Sequence, residues 1–256
     1  MSISTVIITK NEEKNIARAI ESCLPISEEI LILDSGSSDQ TLTIAASYEK
    51  VKVHQVEWQG FSATKNLGNK MATGEYILSL DADEALSDQL QEEIKGCHLD
   101  GSIYRMPRLT NYCGQWIRHS GWRPDYQTRL FPKDKAHWNA SDVHEKLEYK
   151  GELKSMQSDL LHYSYYSISD HLQRIDSYTE LGAKMVIKRN PRFLLAQAIL
   201  RSKFKFLRMY ILKLGFLDGF YGFVIAVIGA YVVFIKYIKA ASHLRQQRKL
   251  GNSPHT

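Results

Sequence analysis

Three acids stand close together at Asp81, Asp83 and Glu84, directly after the apolar run Tyr76-Ile77-Leu78-Ser79-Leu80. Two carboxylates one residue apart are hard oxygen donors. They suit Mg²⁺ or Mn²⁺, which commonly share their coordination shell with substrate phosphates. The spacing therefore points to a metal and phosphate site. A lone Asp-x-Asp also arises by chance, and the same acids would serve a polar turn in which Asp83 or Ser87 caps the next helix. The placement of the remaining polar residues has to separate these readings.

Glu75 to Asp81 reads as a strand buried on both faces. Before it come apolar strand-like runs at Ile3–Thr9, Glu29–Asp34 and Val51–Val56, separated by helical patterns around Ile16–Leu24, Leu42–Tyr48 and Phe61–Met71. This β-α-β-α-β-α-β order predicts an α/β fold with a mostly parallel, doubly wound sheet. In such sheets ligands bind beyond the carboxyl ends of the strands. Thr9 to Glu12, Asp34, and Asp81 to Glu84 all fall at such ends and are expected to converge. Asp39 has the simpler role of capping the helix after it. No Gly-x-Gly-x-x-Gly follows the first strand and no Walker loop is present, which disfavours a dinucleotide dehydrogenase or a P-loop nucleotidase.

Composition is that of an ordinary globular protein, 44% hydrophobic and 24% charged over 256 residues. The net charge of +5 is uneven. From Arg201 onward ten lysines and arginines face one acid, Asp218, so the tail carries +9 and the first 200 residues −4. An acidic body with a basic, apolar tail suggests a soluble domain held on an anionic surface. Nucleic acid is not expected as a partner. Three cysteines without Cys-x-x-Cys spacing indicate neither a disulfide frame nor a zinc site. Met1 leads straight into a strand-like run, so a cleaved export leader is not expected.

Four stretches taken together, Thr9-Lys10-Asn11-Glu12-Glu13, Asp34-Ser35-Gly36-Ser37-Ser38-Asp39-Gln40-Thr41, Lys65-Asn66 and Leu80-Asp81-Ala82-Asp83-Glu84, resemble the family 2 glycosyltransferases. Within that family the chain looks most like bacterial enzymes that add glucose to the heptose of the lipopolysaccharide inner core. The resemblance implies a GT-A fold, a UDP-sugar donor and a divalent metal, Mg²⁺ or Mn²⁺. It implies that Thr9, Glu12 and Asp34 line the base and ribose pocket, with Asp34 facing the uracil. Lys65 would lie near the nucleotide, while Asp81 and Asp83 would serve the ribose and the metal.

Asn111 to Asp125 mixes aromatics with arginines, which suits stacking on sugar rings and pairing with phosphates. It suits an ordered loop over the sheet equally well. Trp122, Arg123 and Arg129 are the candidate acceptor contacts. Inverting sugar transfer is a single displacement in which a carboxylate takes the proton of the attacking hydroxyl. By the family resemblance Glu145 is the expected base, Asp142 the alternative, and His144 a secondary metal or phosphate contact; an ordinary hydrogen-bonded histidine remains open for His144.

Arg192 to Lys213 draws as one helix with Phe193, Leu200, Phe204, Leu207 and Ile211 in a stripe and Arg201, Lys205 and Arg208 beside it, the profile of a helix lying in a membrane interface. Gly219 to Ile235 is a run of 17 uncharged residues, at the short edge of the roughly 20 needed to span a bilayer. An in-plane or re-entrant anchor is preferred to a span, and a buried pair of soluble helices stays open as the plain alternative. The expected organisation is a GT-A domain at 1–190 (nucleotide-sugar half 1–100, acceptor half 101–190), a helical membrane anchor at 191–240, and a mobile basic tail at 241–256. The chain is expected at the cytoplasmic face of the bacterial inner membrane, peripheral or monotopic, acting on a lipid-linked glycan. Two alternatives stay open: the same fold acting on a polyprenyl phosphate or another envelope glycan, and a non-catalytic, membrane-bound assembly factor that binds nucleotide-sugars.

Overall fold

A computed structural model of the chain describes residues 2–139, 146–189 and 192–251. By its internal contacts the chain forms two compact units, Met1–Thr110 with Pro124–Ser164, and Asn111–Arg123 with Tyr165–Thr256.

The first unit opens with the expected alternation: β1 (Ile3–Thr9), α1 (Ile16–Cys23), β2 (Glu29–Asp34), α2 (Thr41–Ala45), β3 (Val51–Gln55), α3 (Phe61–Met71) and β4 (Tyr76–Asp81). Then come β5 (Glu84–Leu86), α4 (Asp88–Gly96) and β6 (Ile103–Tyr112), which runs on into the second unit, where β7 (Gln115–Ile117) lies. The first unit resumes with β8 (Tyr126–Pro132), β9 (Ala136–Trp138), β10 (Leu147–Tyr149), β11 (Leu153–Ser155) and β12 (Leu160–Tyr165). The main sheet has the order β3-β2-β1-β4-β8-β6-β12-β5. It is parallel from β3 through β4 and antiparallel where β8 joins β4 and β6.

Both β1 and β2 are buried along their whole length because helices cover both faces. Ile7 packs with Ile16, Ile20 and Leu90 on one face, whereas Val6 and Ile8 pack with Leu33, Ala72 and Phe131 on the other. Helix α3 can lie this close only because residue 68 is glycine: a Cβ there would stand 2.4 Å from Val6 Cγ1. Chain order reverses between β1 and β4, which opens a crevice at their carboxyl ends. The register sets Thr9 opposite Asp34 and Ile8 opposite Asp81, so the three polar strand ends are level.

At the opposite end, Glu29 ties three segments together. Its carboxylate accepts hydrogen bonds from Ser4 Oγ (2.7 Å), from the Thr73 N–H and Oγ1 (both 2.6 Å), and from Lys52 Nζ (2.8 Å). Burial opposes its ionisation, but these donors outweigh burial and bring its pKa down to about 2. A carboxyl depressed in the folded state stabilises the protein above its unfolded pKa near 4.5 and loses that contribution as pH falls toward 2. With solvent screening of the exposed Lys52 allowed for, the contribution is about 1–2 kcal/mol. Urea unfolding at pH 6 and pH 3 should therefore show the stability gap between wild type and Glu29→Gln narrowing in acid.

The second unit is helical, built from α5 (Ile168–Lys188), α6 (Leu194–Leu207) and α7 (Gly219–Gly251). Two sequence expectations are corrected here. The helix drawn over 192–213 ends at Leu207, widens into a π-turn over Arg208–Leu212 and then reverses, with Leu214 left-handed at φ 53°. Helix α7 does not end at residue 240, the boundary expected for the helical anchor, but runs on through the basic residues 245–249 as further helical turns. Asp218, the one acid in the apolar tail, is buried. Its carboxylate accepts the Arg118 N–H (3.1 Å), the His119 N–H (3.0 Å) and Ser120 Oγ (3.0 Å), and it lies 3.1 Å from His119 Nδ1. Ala183 and Val186 of α5 pack with Ala198 of α6 and with Tyr237 and Ala240 of α7.

Candidate active site

The strand ends at the β1/β4 crevice carry loops that hold one another. Asn11 adopts φ 54°, a left-handed conformation asparagine tolerates. Its N–H donates to Ser37 Oγ (2.8 Å) and its Oδ1 accepts the Ser38 N–H (2.7 Å). The Glu12 N–H donates to Thr41 Oγ1 (2.8 Å), and the Glu13 N–H to Asp39 Oδ2 (3.2 Å). Asp39 also accepts the Thr41 N–H (3.0 Å) at the start of α2, but the N-cap position itself is held by Gln40, so Asp39 stands one residue before the capping place expected for it. Much of the polarity in these two motifs is thus spent on joining the loops. Asp34 is fully buried, and its carboxylate accepts the N–H groups of Gly36 and Ser37, both at 2.9 Å, as well as Ser37 Oγ. Two hydroxyls here, Thr9 Oγ1 and Ser35 Oγ, are buried without a hydrogen-bond partner among the described residues. Such groups are uncommon in a folded interior and fit a site completed by a polar ligand.

Beside them, at the end of β4, Asp81 is held between two cations. Its Oδ1 lies 2.9 Å from Lys65 Nζ and its Oδ2 2.6 Å from Arg129 Nη2. Burial disfavours its charge, but Arg129 and then Lys65 overcome this and hold the carboxyl well below the usual range. Lys65 is itself fully buried, with its ammonium 4.6 Å from the centre of the Trp138 ring. Arg129, read from the sequence as an acceptor contact, is buried instead. It bridges Asp81 and Glu84 Oε1 (2.7 Å), and Arg108 reaches the same Glu84 oxygen at 3.2 Å while pairing with Asp125. With both oxygens on cations, Asp81 is not presented as a metal ligand in the way expected.

Asp83 is placed differently. Its Oδ2 lies 3.2 Å from His162 Nε2, its carbonyl accepts the Tyr163 N–H (2.8 Å), and its side chain remains partly open. Strand β12 brings His162 there by pairing antiparallel with β5, which sets His162 opposite Glu84. No local signal marks His162 for this place, because the pairing depends on sheet order. Among the described residues no three metal-binding side chains cluster. One carboxylate oxygen and one imidazole nitrogen do fit a cation that takes its other ligands from water and a substrate diphosphate.

Asp142, His144 and Glu145 lie outside the described residues. Their segment joins β9 to β10, and its flanks are pinned to each other: the Asn139 N–H donates to Lys146 O and the Lys146 N–H to Asn139 Oδ1, both at 3.0 Å. Asn66, next to Lys65, holds the near flank by accepting the Trp138 N–H (2.9 Å) and donating to Trp138 O (2.8 Å). The described flank at Trp138 therefore stands beside Lys65, which pairs with Asp81. Trp122 and Arg123 belong to the second unit, where Trp122 packs in an aromatic cluster with Tyr112 (5.8 Å) and Tyr165 (5.9 Å), as in an ordered loop.

Residues 4–145 match the family described as glycosyl transferase family 2. Over 93% of its length the chain is 30% identical to an uncharacterized glycosyltransferase of Rickettsia typhi, covering 86% of that protein. It is 26% identical, over 100% of its own length and 96% of the relative's, to the lipopolysaccharide core biosynthesis glycosyltransferase LpsC of Rhizobium meliloti. Among solved structures, S. aureus TarS 1–349 in complex with UDP-GlcNAc matches with a TM-score of 0.50 at 15% identity, over 96% of this chain and 92% of that one.

Proposed function

Because the chain belongs to glycosyl transferase family 2, we propose that it moves a hexose, with glucose the first candidate, from a UDP-sugar to a lipid-linked acceptor, the heptose of a lipopolysaccharide core. The observation that carries this reading is the pairing of Asp83 with His162 at the β1/β4 crevice, beside an Asp81 kept ionised by Lys65 and Arg129. Similarity along the whole chain to LpsC supports a core acceptor. The TarS complex supplies a precedent for a UDP-sugar on this fold.

Thr9 and Ser35 offer buried hydroxyls to the nucleoside, and the fixed Asp81 carboxylate accepts hydrogen bonds from ribose hydroxyls. A divalent cation held by Asp83 and His162 would neutralise charge on the departing diphosphate. Glu145 takes the proton of the acceptor hydroxyl as that oxygen bonds to the anomeric carbon and the bond to the diphosphate breaks, which inverts the centre in one step. An acceptor embedded in lipid requires the cleft to work at a membrane surface. The helical segment Gly215–Gln247, made of a short 3-10 turn and most of α7, is long and apolar enough to associate with one.

Purified protein incubated with UDP-, GDP- and ADP-sugars, Mn²⁺ and heptose-bearing core lipid tests the reading. Transfer should require a UDP-sugar and metal. Glu145→Gln should keep donor affinity and lose about 10²- to 10⁴-fold in turnover. Donor binding that is indifferent to Glu145 and accompanied by no transfer to any glycan would make this a nucleotide-sugar-binding assembly factor instead.

A further inference from the structure

The stripe that the sequence places along α6 is not covered by the protein. Phe193, Leu200, Phe204, Leu207 and Ile211 are all exposed, Leu200 by 67% and Phe204 by 60%. The turn after α6 adds Leu212 (68% exposed) and Leu217, and α7 adds Phe220 (67%), Phe223 and Val227 in a second stripe. The two stripes meet at a groove of about 410 Å³ in which Leu207 faces Val227. A soluble surface seldom exposes contiguous apolar area of this extent without a partner.

Charge selects the partner. From Arg192 to Leu217 there are six lysines and arginines and no acid, and Asp218 is turned inward onto the backbone N–H groups of Arg118 and His119 and the Ser120 hydroxyl. Arg201, Lys203 and Arg208 are exposed beside the stripe. An apolar ridge bordered only by cations is complementary to anionic lipid, whose headgroups pair with the cations while the acyl region receives the ridge.

Packing within this unit also argues against a transmembrane crossing by α7. Its carboxyl half is bound to α5 through Lys239 to Asp176 (2.8 Å) and His243 to Glu180 (2.9 Å), and its amino half lies so close to the π-turn after α6 that a Cβ on Gly229 would stand 2.6 Å from Met209 Sδ. Crossing would strip these contacts or carry the α5 carboxylates into hydrocarbon. We propose that α6, the 208–218 turn and the amino half of α7 form a monotopic face that lies in the plane of an anionic bilayer and inserts Phe204, Leu207, Leu212 and Phe220. This deepens the membrane-surface part of the function proposed above and rests on it.

Flotation of the full chain with vesicles of phosphatidylglycerol and phosphatidylcholine in equal parts, and of phosphatidylcholine alone, tests the face. Binding should be strong only with the anionic lipid. Phe204→Glu with Leu207→Glu should weaken it by about 100-fold or more, and Arg201→Gln, Lys203→Gln and Arg208→Gln together by about 100-fold. These positions are exposed, so circular dichroism and UDP-sugar binding should match wild type; loss of donor binding in wild type itself would count against the proposed function and not against this face. A carboxyl-terminal epitope should stay open to protease on sealed vesicles. Failure to float, equal binding to both lipids, a protected epitope, or a dimer in sedimentation that the Phe204→Glu and Leu207→Glu pair dissociates would each overturn the proposal.

Discussion

Asp83→Asn is expected to abolish metal-dependent donor binding while leaving the fold intact. The Asp83 side chain is partly open to solvent and its described partner is His162, so no core packing is lost and the thermal midpoint should stay close to wild type. Among the described residues the charge is nonetheless the one carboxylate at the end of β4 with no lysine or arginine bound to it. A cation on a departing diphosphate contributes several kcal/mol to the transition state, and about 1.4 kcal/mol is tenfold in rate. Turnover should fall by at least about 100-fold, and calorimetric titration of Mn²⁺ in the presence of UDP should lose its signal. His162→Gln should give a smaller loss of the same kind. Unchanged metal dependence in Asp83→Asn would remove the metal from the proposed mechanism.

The opposite profile is expected of Arg129→Leu. Here one guanidinium joins Asp81 and Glu84, and both Arg129 and Glu84 are almost completely buried. Removing one partner of a buried charge set leaves the others uncompensated, which typically costs about 3–5 kcal/mol. For a chain of this size that corresponds to a fall of roughly 10 °C or more in the thermal midpoint. Replacing the partner as well should relieve part of the cost: Arg129→Leu with Glu84→Gln should be less destabilised than the sum of the single changes by more than about 1 kcal/mol. Strict additivity would show that Arg108 and the backbone, not Arg129, satisfy Glu84. Donor binding should weaken along with stability, since Asp81 loses one of the two cations that fix it.

The two variants probe sites of unequal legibility. Asp81, Asp83 and Glu84 were visible as a motif, and the periodicity around them predicted the strand that presents them. What the motif did not reveal is that its three acids have three different surroundings. Asp81 is clamped by cations, Glu84 is buried under two arginines, and Asp83 is the one of the three that faces a histidine among the described residues. Arg129 looked like an acceptor contact because an arginine in a strand carries no mark of which face it serves. The register of β8 against β4, which pairs Ile77 with Phe131 and Leu78 with Leu130, turns it inward. In the tail, the amphipathic stripe on α6 was legible because it depends only on helical spacing. The place where that helix stops was not, because the left-handed Leu214 and the inward Asp218 answer to a loop about 100 residues earlier in the chain.

By itself, then, the sequence determined the alternation of buried strands and helices, the acids at the strand ends, and the apolar and basic faces of the tail. All of these follow from side-chain periodicity and from the conformational preferences of neighbouring residues. Only the tertiary structure decided which charges meet. Arg129 reaches Asp81 across 48 residues, and His162 reaches Asp83 through the pairing of β12 with β5. Such contacts depend on strand order and register, which are selected by burial of the whole core against the entropy of closing long loops, and no local pattern encodes that balance.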